Sequence, residues 1–211
     1  MKPVIVFLFL MVTLAVYGQN ERYLGAMQKN MQALGAARTP EAMLEVVHTF
    51  ERIGNAEKNQ WLPFYYASVA QVWHAFMLNE VKQFDLLADK AEAFLKRAEE
   101  MEKNNSEIVL VKAMIASLRM VVDPMTRFMQ YGQLSARLVE ESKQLDPANP
   151  RPYLWQAQGH TRTPEQFGGG CTAAKPLFEE SLKRFGVFRP ASPLHPAWGK
   201  EQAEVLYNSC K

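Results

Sequence analysis

From Phe64 to Val121 the chain contains neither glycine nor proline. So long a run without a breaker, rich in Ala, Leu, Met, Lys and Glu, favours helix over any other regular structure. Within it Phe84, Leu87, Ala91, Phe94, Ala98 and Met101 step by three and four, which places them on one face of a helix. Glu92 with Lys96 and Glu99 with Lys103 fall four apart on the other faces. Such pairs contribute only about 0.2–0.5 kcal/mol each, so the packed stripe must hold the helix in place. No alternating strand pattern competes in this window.

The same stripe returns further on. Phe128, Tyr131, Ser135, Leu138, Ser142 and Leu145 repeat the steps, and Ala174, Leu177, Ser181 and Arg184 follow them again, with Phe178 and Phe185 pointing to a slightly rotated buried face. A weaker copy is expected from Ala42 to Thr49. Two helices approach closely only where neither presents a bulky side chain, so small residues recurring at fixed offsets mark a helical repeat. Thr39-Pro40, Asp123-Pro124 and Thr163-Pro164 each offer a capping oxygen followed by proline in the first turn, and Thr163 with Gln166 fits a capping box. Asp146-Pro147-Ala148-Asn149-Pro150 ends one helix and starts the next, because proline cannot continue the hydrogen-bond ladder.

Leu145-Asp146-Pro147-Ala148-Asn149-Pro150 resembles the inter-repeat turn of tetratricopeptide repeat (TPR) proteins, whose small residues recur at spacings of seven and fifteen. Here Ala91 to Ala98, Ser135 to Ser142 and Ala174 to Ser181 span seven, while Ala98 to Ala113 and Ser142 to Ala157 span fifteen. The turn within each pair departs from the family, since Ala67 to Ala91, Ala113 to Ser135 and Ala157 to Ala174 span twenty-four, twenty-two and seventeen. The resemblance implies an all-α fold of antiparallel helix pairs stacked as a right-handed solenoid. A divergent pair is expected at about 21–53, better pairs at about 61–185, and a capping helix at about 197–210 that closes the open end of the stack.

At the amino terminus Lys2 precedes an apolar run over residues 4–16, followed by Val16-Tyr17-Gly18. This is the pattern of a secretory signal peptide, cut after Gly18. A run of thirteen residues reaches roughly 20 Å as a helix against roughly 30 Å of hydrocarbon, too short for an anchor. Residues 19–211 are thus expected to form one domain in the periplasm or outside the cell of a bacterium. Export makes a disulfide the natural reading of Cys171 and Cys210, the only two cysteines, and closing that loop is worth about 4 kcal/mol on the chain-entropy model.

Net charge is +2, from 24 Lys and Arg against 22 Asp and Glu, so no nucleic-acid groove is advertised. His48, His74, His160 and His195 fall into no metal-binding spacing, and neither a nucleophile elbow nor a paired-carboxylate pattern is present. The chain reads as a noncatalytic protein needing no cofactor. TPR-like stacks generally hold a peptide or protein partner in a concave groove. The alignment places Ser68, Gln71, Met114, Ser117, Gln158 and Thr161 in that groove.

A small-molecule or anion binder is the alternative. Prolines and glycines concentrate after residue 146, most densely between Gly159 and Cys171. There Gly168, Gly169 and Gly170 precede a helix whose N–H groups, with Arg162, suit a carboxylate or phosphate, although glycines at such a turn equally serve close packing. Trp61, Tyr65, Tyr66, Trp73 and Phe76 lie on one helix as either core or recognition surface. An open groove lined by Gln71, Ser117 and Thr161 would favour the partner; a cavity beside Arg162 would favour the small ligand.

Overall fold

The computed structural model describes residues 21–210, so the signal-peptide reading and its cut after Gly18 lie outside the described residues. Among them the regular structure is all helical. Helix α1 runs over 21–36, and is followed by α2 (Pro40–Ala56), α3 (Leu62–Leu78), α4 (Phe84–Met101) and α5 (Ser106–Val121). After these come α6 (Pro124–Arg127), α7 (Gln133–Leu145), α8 (Arg151–Arg162), α9 (Gly170–Val187) and α10 (Lys200–Ser209). None of the described helices is long and apolar enough to cross a membrane.

Local chemistry explains most boundaries. Thr39 Oγ1 accepts the Ala42 N–H at 3.2 Å, Asp123 Oδ1 accepts the Thr126 N–H at 3.4 Å, and Asn105 Oδ1 accepts those of Glu107 and Ile108, each supplying an orphan donor of a first turn with its partner. Thr163 is different. Its hydroxyl donates to Gly159 O at the end of α8, so it closes one helix and does not cap the next. The segment after it makes only a short 3₁₀ turn at Glu165–Phe167, and α9 waits until Gly170.

Each helix from α2 onward packs on its sequence neighbour, with α5 resting on α7 past the short α6. The small residues sit at these contacts. Ala91, Ala98, Ala113, Ser142, Ala157, Ala174 and Ser181 are all fully buried. Ser68 Oγ donates to Ala91 O across α3 and α4, Ser135 Oγ to Ala113 O across α7 and α5, and Ser181 Oγ to Pro150 O across α9 and the start of α8. A hydroxyl that bonds the facing backbone lets two helices approach while leaving no donor unsatisfied.

The stripes are shifted in two places. The first copy buries Met43, Val46, Val47 and Phe50 and leaves Ala42 exposed. In the third, Phe128–Gly132 forms a π-helical turn before α7, and of the predicted stripe only Ser135 and Ser142 are buried. Phe128 is consequently 55% exposed, and Ser135, Val139 and Ser142 become the buried side of α7.

The interior divides in two. Helices α1 to α5 enclose the larger core, while Leu154, Ala157, Ala174, Phe178, Phe185, Ala203 and Cys210 form a smaller one among α8, α9 and α10. The smaller core is stapled: Cys171 at the start of α9 is bonded to Cys210 at the end of α10, with Cα atoms 5.1 Å apart. The final helix spans Lys200–Ser209 and lies on α9. Residues 188–199 form an irregular strap that leaves this smaller core and crosses to α3, where Leu194 O accepts the Tyr66 hydroxyl at 3.0 Å.

Candidate functional site

Helix α3 is apolar almost throughout, and its first turns disappear into the core. Tyr65 stacks edge-on against Tyr66, and burial pushes both phenols above their ordinary range. Further along the same helix Trp73, Phe76 and Met77 are only half-buried. They face a cavity of about 780 Å³, the size of a small-molecule site.

Three other elements complete its walls. Helix α1 and the turn after it bring Met31, Leu34 and Arg38; α8 brings Trp155, Gln158 and Arg162; the strap and the first turn of α10 bring Trp198, Lys200 and Glu201. The offsets of three and four between Trp155, Gln158 and Arg162 put all three on one face of α8. Trp73 and Trp198 meet edge to face with centroids 5.3 Å apart, and Phe76 lies 6.3 Å from Trp155. Aromatic faces and edges therefore supply most of the lining.

At the rim, the Arg162 guanidinium lies 5.3 Å from the Phe76 ring centroid. Desolvation by the surrounding side chains holds its pKa below the ordinary arginine value. Among the described residues no carboxylate pairs with it. Arg162 is exposed at the rim, and a cation held beside an aromatic wall attracts an anionic group that carries an apolar body.

Behind the cavity wall lies a buried polar cluster. Arg151, 1% exposed, reaches Glu107 through Nε at 2.8 and 3.0 Å and through Nη2 at 2.5 Å. Asn149 Nδ2 donates to Glu107 Oε1 at 2.6 Å, and the Tyr65 hydroxyl donates to Glu107 Oε2 at 2.8 Å. Trp198 Nε1 in turn donates to Tyr65 Oη at 3.0 Å. Burial lowers the pKa of Arg151, but the charge and hydrogen bonds of Glu107, with smaller contributions from Tyr65 and Tyr66, together outweigh it and the net shift is upward.

The residues expected to line a groove are not brought together. Ser68, Gln71 and Met114 are buried between helices. Ser117 shares a hydrogen bond with Ser135, and Thr161 donates to Gln158 O. Of the six, Gln158 alone lines the cavity. Gly168, Gly169 and Gly170 donate their N–H groups to the carbonyls of Glu165, Pro164 and Thr163, so the turn is internally satisfied. Gly169 is needed there because an added Cβ would sit 2.0 Å from Thr163 O. Arg162 thus belongs to the cavity and not to the glycine turn. Met31, Trp155 and Trp198 escaped sequence reading, since none of them belongs to a motif.

A second concavity of about 790 Å³ lies between α4, α5 and α7, floored by Leu95, Ile115, Leu134 and Leu138. The ion pairs Lys112–Glu99 and Arg119–Glu92 edge it, at 2.5 and 2.8 Å. No group of three metal-ligating side chains occurs among the described residues.

No family model matches the chain, and no curated protein matches it. Among solved structures it is similar to the HusA haemophore from Porphyromonas gingivalis, with 33% sequence identity and a TM-score of 0.78. The match covers 90% of this chain and 92% of that one. Shared sequence and shared helical arrangement over nearly the whole of both chains establish that this protein belongs to the same family as HusA.

Proposed function

We propose that this protein is an exported, noncatalytic binding protein that captures haem, or a tetrapyrrole of the same shape, in the cavity between α1, α3, α8 and the 188–199 strap. The observation that carries this reading is the pairing of an aromatic-walled cavity with the uncompensated Arg162 at its rim. A tetrapyrrole is a flat apolar ring bearing carboxylates on one edge. Its faces suit Trp73, Phe76, Trp155 and Trp198, the thioethers of Met31 and Met77 add polarisable contacts, and a carboxylate suits Arg162. The haemophore relative supports the same cargo.

Titration of residues 19–211 with haem, followed through the Soret band, tests the reading. Saturable one-to-one binding is expected, with Arg162→Ala weakening it about tenfold through loss of one charge-assisted contact. Absence of a saturable shift, or binding unaffected by both Trp155→Ala and Arg162→Ala, overturns it.

A peptide or protein partner is a second reading, favoured by the apolar floor of the α4–α5–α7 concavity and by Phe128 and Met129 exposed near it. Leu134→Glu would then abolish retention of that partner while leaving haem binding intact.

A further inference from the structure

Trp198 is the one aromatic residue of the cavity wall that no helix carries. It stands in the strap, two residues before α10, where the backbone ladder that fixes Trp73 or Trp155 is missing. Its indole is held from two sides instead. The N–H donates to Tyr65 Oη, and the Arg151 guanidinium lies 5.6 Å from the ring centroid while also covering Phe188 at 4.7 Å. Tyr65 and Arg151 converge on one carboxylate, that of Glu107. Gly199, at φ 108°, lets the chain turn immediately after the indole, with Leu154 close beneath it.

We infer that Glu107 and Arg151, which do not touch the cavity, are positioning residues for ligand capture: acting through Tyr65, they hold the Trp198 indole in the orientation that forms the cavity wall. This rests on the haem reading above. The carboxylate fixes the Tyr65 hydroxyl as a donor toward Glu107, leaving the phenol oxygen's lone pair to accept the indole N–H. A buried, multiply bonded carboxylate has little freedom to move, so the tilt of the indole is set from behind the wall.

The test is a double-mutant cycle on haem affinity with Tyr65→Phe and Trp198→Phe, since Phe keeps most of the buried volume at either site. Tyr65→Phe is expected to raise Kd about fivefold and Trp198→Phe about tenfold, with the double variant no weaker than Trp198→Phe alone, because coupled residues are non-additive. A merely structural contribution of Tyr65 would multiply with that of Trp198, and such an outcome overturns the inference while leaving haem binding established. Absence of haem binding by the unaltered protein overturns both readings.

A measurement on the unaltered, ligand-free protein keeps the inference exposed if Tyr65→Phe fails to fold. The Trp198 indole N–H resonance, assigned through its loss in Trp198→Phe, should exchange with solvent at least about tenfold more slowly than the indole N–H groups of Trp73 and Trp155, which find no hydrogen-bond acceptor among the described residues. Equal exchange at all three would refute the proposed hold on Trp198.

Discussion

Replacing Arg151 by Met should be among the most damaging single changes to this fold. The guanidinium is 1% exposed, makes three contacts with Glu107 between 2.5 and 3.0 Å, and lies against Phe188 and Trp198. Met fills much of the volume but leaves the Glu107 carboxylate buried without its counter-ion. Breaking a buried pair in this way costs about 3–5 kcal/mol, a large share of the stability of an ordinary domain. For a chain of this length that corresponds to a fall in Tm of roughly 6–20 °C. The pair itself is worth far less than this, because Arg151 Nη1 has no hydrogen-bond partner among the described residues and two charges have been taken out of water. Adding Glu107→Leu to Arg151→Met should therefore recover at least about 1 kcal/mol, even though Asn149 and Tyr65 lose an acceptor. Urea unfolding followed by circular dichroism measures all four corners of the cycle. The reasoning is refuted if Arg151→Met costs less than about 1 kcal/mol, or if the double variant is as unstable as the sum of the singles. Lys200→Ala, which removes a pair 3.9 Å long with both partners about half exposed, is the control and should change stability by no more than about 0.5 kcal/mol.

Further outcomes follow from other parts of the structure. Ser142 is fully buried, its hydroxyl donates to Ser106 O at 2.8 Å, and the two side chains face each other across α7 and α5; Ser142→Leu should destabilise by about 2–4 kcal/mol through overpacking and a stranded carbonyl, against about 1 kcal/mol for Ser142→Ala, both read from urea midpoints. Reduction of Cys171–Cys210, which spans 39 positions, should lower stability by up to about 4 kcal/mol, seen as a fall in Tm with reductant that a Cys171→Ser, Cys210→Ser double variant no longer shows. Burial holds the His74 pKa below its ordinary value, with Lys90 adding to the effect and Glu41 opposing it. The unfolded chain therefore takes up this proton first as pH falls through about 6.5, so stability should drop between pH 7 and pH 5.5, and the drop should be smaller in His74→Gln.

Much of the helical architecture was legible before any coordinates. The breaker-free window holds most of α3 together with α4 and α5, and the small residues Ala98, Ala113, Ser142 and Ala157 are buried where helices meet. Those features are local: periodicity and side-chain size act between residues three, four or seven apart, and they survive being read one window at a time. Reading failed at Phe128, which the π-helical turn leaves exposed while Ser135 and Ser142 stay buried, and at Thr163, whose hydroxyl was taken by the helix before it. At Thr163 the hydroxyl could serve either the helix before it or the one after, and it bonds Gly159 O.

The cavity was legible in Arg162, in Gln158, expected there as a groove residue, and in the aromatic run of α3. Its walls join positions as distant as Met31, Trp73, Trp155 and Trp198, and no periodicity connects them. The Glu107–Arg151 pair is equally remote in sequence. Helix type and the caps at Thr39 and Asp123 were determined by the sequence alone, because each depends on neighbours along the chain. Which aromatic side chains sank into the core and which were left to line a cavity was decided only when the strap at 188–199 crossed to α3, since burial is a property of surfaces brought together and not of any segment by itself.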